Sequence, residues 1–297
     1  MLDSKKNITM SDLTKTLEKP NNLSESGVVE KWFNKISREL LNNYNLIVAG
    51  SEYRLVEIEF YCYAEEHPDI FTHRDELQKE FGSWYFHRNG GKYKSGSFKG
   101  LDLTFGNSSM YCGILIRTIK KADGTIICGP SLCVDNLLAT TQCESVAQLD
   151  EKIASKIAWD EENIIYLKRT ETENENLSDH QIFCSGRVGL SLKKAKSSSI
   201  MPQYILRPYR YLNKPKSVSK GKIYLVLTLY YQGITPEEIH QITGSPKRSI
   251  EKYIADFEEG RKEEDFSQYI GVDLNSGKLC KLHGTWYEKV GRLSCNL

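Results

Sequence analysis

The chain has 297 residues, 39% hydrophobic and 27% charged, with a formal net charge of +1 at pH 7. That length holds one large domain, or one with a small module, and the composition is ordinary for a soluble protein. No apolar run reaches the roughly 18 residues a membrane span needs, and the net charge says less about partners than its distribution does.

The opening MLDSKKNITMSDLTK lacks the apolar stretch of a secretory signal. Residues 1–26 are polar and rich in Ser, Asn and Lys, and disorder is expected there. VVEKWFNKISRELLNNY places Val29, Trp32, Phe33, Ile36, Leu40 and Leu41 at helical spacing and predicts an amphipathic helix. Strands are expected at Leu46 to Val48 and Arg54 to Tyr63. In RLVEIEFYCY, alternation puts Leu55, Glu57, Glu59 and Tyr61 on one face. Two carboxylates beside an apolar residue and a tyrosine are unusual for a plain core strand.

A turn-rich stretch from Ala64 to Gly82 leads to a short aromatic strand around WYFHR. A glycine-rich link, NGGKYKSGSFKG, precedes further strands at LDLTF, MYCGILIRTI and GTIICGP. Pro130 opens a helix over SLCVDNLLA, Leu149 to Ala158 reads as helical, and Gln203 to Leu212 reads as a late strand. The eight cysteines, at 62, 112, 128, 133, 143, 184, 280 and 295, form no C-x-x-C pair. They read as reduced intracellular thiols, several of them buried, with no zinc site and no other metal or cofactor expected.

From Arg187 to Lys222 there are ten Lys or Arg residues and no Asp or Glu, with Tyr204, Tyr209 and Tyr211 interleaved; the preceding stretch from Asp160 to Asp179 is acidic. Such a block suits a surface that tracks phosphates and releases their counterions. It equally suits a solvated basic loop whose tyrosines pack on the core. Lys222 to Tyr231 is an apolar helix candidate. Thr235-Pro236-Glu237-Glu238 is a capping box, and Ser245-Pro246 is expected to cap a second helix bearing Ile250, Tyr253, Ile254 and Phe257 on one face. Helix, glycine turn and helix make a helix-turn-helix pattern with Lys247, Arg248 and Ser249 in the first turn of the second helix, where such motifs face a DNA groove. A generic helical packing or dimerisation unit has the same pattern. The tail IGVDLNSGKLCKLHGTWYEKV suggests a small hairpin. The segments expected are therefore a disordered 1–26, a main body over 27–215, a helix-turn-helix-like module over 216–265 and a tail over 266–297.

RLVEIEFY resembles the R-[IV]-V-E-x-E-A-Y strand of the alkyladenine DNA glycosylases, and further short matches follow in order. SRELL is similar to that family's A-R-x-L-L helix, Gly82-Ser-Trp-Tyr-Phe-His87 to its G-T-L-Y-V-Y strand, and CGILIRTI to its strand ending L-L-R-A. GPSLC, Ser185-Gly-Arg-Val-Gly-Leu190 and YILRPYR resemble three later motifs, so the likeness runs over residues 31 to 212. It implies an α+β fold with a single mixed, mostly antiparallel sheet, of the alkyladenine glycosylase and formyltransferase C-terminal-like type, plus a small C-terminal helical module.

The implied function is a monofunctional DNA N-glycosylase of base-excision repair, which flips a modified nucleotide and hydrolyses its base–sugar bond without cofactor. Glu59 would be the catalytic carboxylate that activates water. Tyr61, His73, His87 and Arg117 would bind the base, with His67 competing for the role of His73. Phe98 or Lys99 would fill the hole left by the flipped base. Lys193, Lys194, Arg207, Arg210, Lys247 and Arg248 would hold backbone phosphates of DNA, or of RNA if that or a modified nucleoside is the substrate. His87 stands where the family has a tyrosine, so the preferred base differs. Taken alone, Glu57 and Glu59 read as solvent-facing residues of a sheet edge, Tyr61 and Trp84 as core aromatics, and Arg117 as a structural ion-pair residue. A non-catalytic DNA-binding protein on an inactive scaffold is the alternative function. The expected setting is intracellular, nuclear if eukaryotic and otherwise cytoplasmic, with no membrane and no obligate protein partner.

Overall fold

Helical spacing in the first amphipathic segment is realised as α1 (Val28–Asn43), whose Trp32, Phe33, Ile36 and Leu40 are buried. The computed structural model describes residues 13–25, 27–170, 181–195 and 200–290, and these form an α+β protein with a large antiparallel sheet and several helices. The chain divides into two units, Met1–Pro68 with Thr72–Ile182, and Asp69–Phe71 with Phe183–Leu297. The boundary thus lies at 182/183, not at 215. Among the described residues no helix is long and apolar enough to cross a membrane.

In the first unit, β1 (Tyr44–Val48) and β2 (Ser51–Ala64) form a hairpin. Then come β3 (His67–Pro68), β4 (Phe81–Phe86), and the paired β5 (Arg88–Asn89) and β6 (Lys92–Tyr93). These are followed by β7 (Leu101–Phe105), β8 (Tyr111–Lys121) and β9 (Ile126–Cys128). Helices α2 (Pro130–Thr141) and α3 (Val146–Ile153) precede β10 (Ile165–Arg169). The main sheet runs β10-β1-β2-β8-β7-β4, with every neighbouring pair antiparallel.

One side of that sheet is a dry aromatic core. Phe33 of α1 stacks on Phe60 of β2 at 4.4 Å, and Trp32 meets Phe105 of β7 edge-on at 5.2 Å. Helix α3 starts at the cap Ser145, whose hydroxyl accepts from the Gln148 amide, and ends where Ala154 and Ser155 adopt positive φ. It therefore lies earlier than the expected 149–158.

The second unit pairs β11 (Phe183–Ser185) with β12 (Arg210–Leu212). It adds α4 (Met201–Tyr204), α5 (Lys222–Tyr231), α6 (Pro236–Thr243), α7 (Lys247–Gly260) and α8 (Ser276–Val290). Leu206, Leu227, Phe257, Leu282 and Trp286 share its core. The capping box forms: Thr235 Oγ1 accepts from the Glu238 amide at 3.3 Å while the Glu238 carboxylate accepts from the Thr235 amide at 3.0 Å. Ser245 does not cap α7; Pro246 holds that position without a side-chain bond.

Four further expectations are corrected. Residues 13–25 are not disordered, because Leu13, Leu17 and Leu23 are buried and Trp32 Nε1 donates to the Thr16 carbonyl at 3.1 Å; residues 1–12 and 26 lie outside the described residues. The late strand is only Arg210–Leu212, since Met201–Tyr204 is helical. The expected hairpin in the tail is the helix α8, and one glycine on α7 and one on α8 let the two helices pack closely. A Cβ on Gly260 would stand 1.9 Å from the Lys281 carbonyl oxygen, and one on Gly284 would stand 2.0 Å from that of Phe257. The cysteines are not all reduced either. Cys62 and Cys112, directly opposed on β2 and β8, are joined in a disulfide, while Cys128, Cys133, Cys143 and Cys280 are free thiols.

Candidate functional site

The register of the first unit gathers polar residues on the sheet side opposite α1. Glu59 pairs with Leu115, Leu115 with Asp102, and Asp102 with Tyr85. Directly opposed residues share a face, so this row crosses β2, β8, β7 and β4 on one side. Tyr61 and Arg117, each two residues along from a member of the row, project the same way, as does His87 beyond Tyr85.

At the β2–β8 end, Arg117 bridges two carboxylates. Its Nε lies 3.1 Å from Glu57 Oε1 and its Nη1 lies 3.2 Å from Glu59 Oε2. The Tyr61 hydroxyl donates to Glu59 Oε2 at 2.9 Å, and Thr118 donates to Glu57. Glu59 is 0% exposed and Arg117 is buried. Burial acts against the guanidinium charge, but the attraction of Glu59, Glu57 and Tyr61 outweighs it and raises the Arg117 pKa above its ordinary value. A break in strand register between Leu55, Glu57 and Ile58 accompanies this cluster, and bulges are a recurrent way of re-aiming side chains.

At the β7–β4 end, His87 Nε2 and Asp102 Oδ1 are 2.7 Å apart, and Asp102 is buried. Two glycines leave room for the pair. A Cβ on Gly100 would lie 2.5 Å from His87 Cε1, and one on Gly113 would lie 2.5 Å from Asp102 Oδ2. His73 meets the His87 ring edge-on at 4.5 Å, and Tyr85 is 5.9 Å from His87. The Lys94 ammonium donates to His73 Nε2 at 2.9 Å. Loss of solvation around its ring, and then the adjacent His87, lower the His73 pKa to about 4. Burial also lowers the Lys94 amine below its usual value, against the pull of Asp102.

Of the base-binding expectations, Tyr61 and Arg117 meet at Glu59, while His73 and His87 meet each other. His67 is elsewhere engaged: it is buried in β3, with Nδ1 2.9 Å from the Cys62 carbonyl. Phe98 is 74% exposed, whereas Lys99 is ion-paired with Asp135. Sequence reasoning missed Asp102, Lys94 and Tyr85. The signal for Asp102 was a carboxylate inside the apolar strand LDLTF; Lys94 carried none beyond its place in the glycine-rich link.

The phosphate-contact expectations divide. Lys194 and Arg248 are exposed; Lys193 is ion-paired with Asp273, and Lys247 with Glu237 at 3.4 Å. Arg207 lies over the Tyr204 ring at 4.9 Å and donates to the Gln203 carbonyl. Arg210 is corrected: it is 0% exposed and donates to Ser185 Oγ and to the Gly221 and Lys220 carbonyls. Tyr204, Tyr209 and Tyr211 are buried, so the interleaved aromatics pack in the core.

Fold and site define the class as an α+β protein whose antiparallel sheet has one aromatic face and one face bearing clustered acids, histidines and an arginine. No family model matches the chain. It is 34% identical over 212 residues to the uncharacterized protein L759 of Acanthamoeba polyphaga mimivirus, an alignment covering 66% of this chain and 93% of the viral protein. The chain belongs to the family of that viral protein.

Proposed function

We propose that the chain is a nucleic-acid N-glycosylase whose first unit adopts the alkyladenine glycosylase type of sheet and releases a modified base with Glu59 as the catalytic carboxylate. The observation that carries this reading is the convergence on Glu59: residues singled out by the sequence resemblance on two different strands, Tyr61 and Arg117, both bond its carboxylate, at 2.9 and 3.2 Å. A carboxylate oriented in this way can align a water for attack at the sugar C1′ while positive charge builds on the sugar ring. The aromatic and imidazole rings of Tyr85, His73 and His87 offer a flipped base stacking and hydrogen-bonding partners. The exposed Phe98 has the character of a side chain that enters the base stack. In the second unit, the exposed Lys194 and Arg248, and Lys247 in its pair with Glu237, are among the cations a phosphate backbone can meet.

The test is a mass-spectrometric screen for bases released from DNA carrying varied lesions and natural modifications. Glu59→Gln is expected to abolish release and leave DNA affinity near its original value; unchanged release would sink the catalytic role. One observation favours the alternative of a DNA-binding protein on an inactive scaffold: Glu59 has no exposed surface. Under that alternative no base is released by the unaltered protein, and Glu59→Gln changes nothing, while Lys247→Glu with Arg248→Glu still removes DNA binding.

A further inference from the structure

We propose that Lys94 is a nucleophilic amine that condenses with the C1′ aldehyde of an abasic sugar, so that the first unit cleaves strands as a lyase in addition to releasing bases. The inference deepens the nucleic-acid reading above and rests on it for the class of substrate. A lysine becomes a carbonyl nucleophile when its surroundings favour the neutral amine and hold it in place. Lys94 is half-buried, which favours its neutral amine, and its Nζ is fixed 2.9 Å from His73 Nε2. His73 is neutral near pH 7, so it adds no positive charge of its own beside the amine, and Lys94 retains some exposure through which its ammonium proton passes to water. The neighbouring cations are differently placed: Lys99 is ion-paired with Asp135, and Lys92 is exposed. Asp102, Asp75, Tyr85 and His87 are the other titratable groups around the pair.

The chemistry balances without an oxidant or reductant. The neutral Lys94 amine adds to the open-chain C1′ aldehyde, and loss of one water with uptake of one proton from solvent leaves a protonated imine. The imine withdraws electrons, the C2′ proton passes to the His87 imidazole held by Asp102, and the C3′–O bond breaks with its electron pair leaving on the phosphate oxygen. One water then hydrolyses the imine, which restores the neutral amine, frees an unsaturated aldehyde at the 3′ end and returns one proton to solvent, as His87 returns the other.

The test uses the full chain, a duplex with a preformed abasic site, and borohydride to reduce the imine to a stable adduct. The unaltered protein is expected to form the adduct, and peptide mass mapping should place it on residue 94. Lys94→Arg should lose it, while Lys92→Arg and Lys99→Arg keep it. No adduct, an adduct mapped to another residue, or an undiminished adduct in Lys94→Arg overturns the proposal, and the mapping holds whether or not the variant folds. An adduct at residue 94 without any base release supports the lyase and counts against the glycosylase; base release without an adduct overturns the lyase alone.

Discussion

Two buried residues set the sharpest expectations at the scale of single side chains. Arg117 is the shared counter-ion of Glu57 and Glu59. Replacing it with methionine leaves two buried carboxylates without their cation, and breaking a buried pair costs about 3–5 kcal/mol. Urea unfolding of Arg117→Met should show a loss of that size, with partial recovery when Glu57→Gln is added. His283 is 1% exposed, neither ring nitrogen has a hydrogen-bond partner among the described residues, and burial lowers its pKa to about 3. The unfolded chain binds this proton near pH 6.5, and the folded chain does not. Its stabilising contribution is therefore complete above pH 6.5 and declines on acidification toward pH 3. Between pH 6.5 and 5 the loss is about 2 kcal/mol, and His283→Phe should flatten that part of the stability profile. Glu59, Tyr61 and Arg117 were legible in the sequence because strand alternation and a family resemblance name individual side chains. Lys94 was not, because only the fold of the glycine-rich link brings it to His73.

Among the elements, those with local punctuation were the readable ones. The capping box of α6 is stated outright by Thr235, Pro236 and Glu238, and the structure forms both of its bonds. Thr235→Ala should lower thermal stability by about 1 kcal/mol. Helix α8 shows how a segment without clear caps misleads. The tail suggests a hairpin, yet Leu279, Leu282, His283 and Trp286 follow helical spacing. Gly284 belongs to a helix packing so close that carbonyl oxygens occupy the space a side chain would need. Gly284→Ala should therefore force α7 and α8 apart, at a cost of at least the roughly 1–3 kcal/mol typical of overpacking, measurable by calorimetry. The α4 turn was hidden for another reason: the apolar and aromatic residues of 203–212 suit a strand locally, and tertiary packing decides otherwise.

At the scale of the whole molecule, the net charge of +1 conceals an uneven distribution, and the structure removes some of the basic block from consideration by burying Arg187 and Arg210. If the exposed cations of α7 meet phosphates, Lys247→Glu with Arg248→Glu should weaken DNA binding. It should also lower the slope of log affinity against log salt by about one for each phosphate no longer neutralised, which a fluorescence titration series would read. The α+β class was legible from the sequence, but the domain boundary was not, because composition changes near 215 while the chain changes partners at 183. The tripeptide Asp69–Phe71 belongs with the later part of the chain, and its Asp69 is the buried counter-ion of Arg187, with Oδ1 3.1 Å from Nη2. The second unit is consequently discontinuous in the gene, so no single truncation yields it whole. A fragment beginning at 183 would enclose a guanidinium stripped of its carboxylate, and dissection of the two halves would require grafting residues 69–71 back onto the fragment.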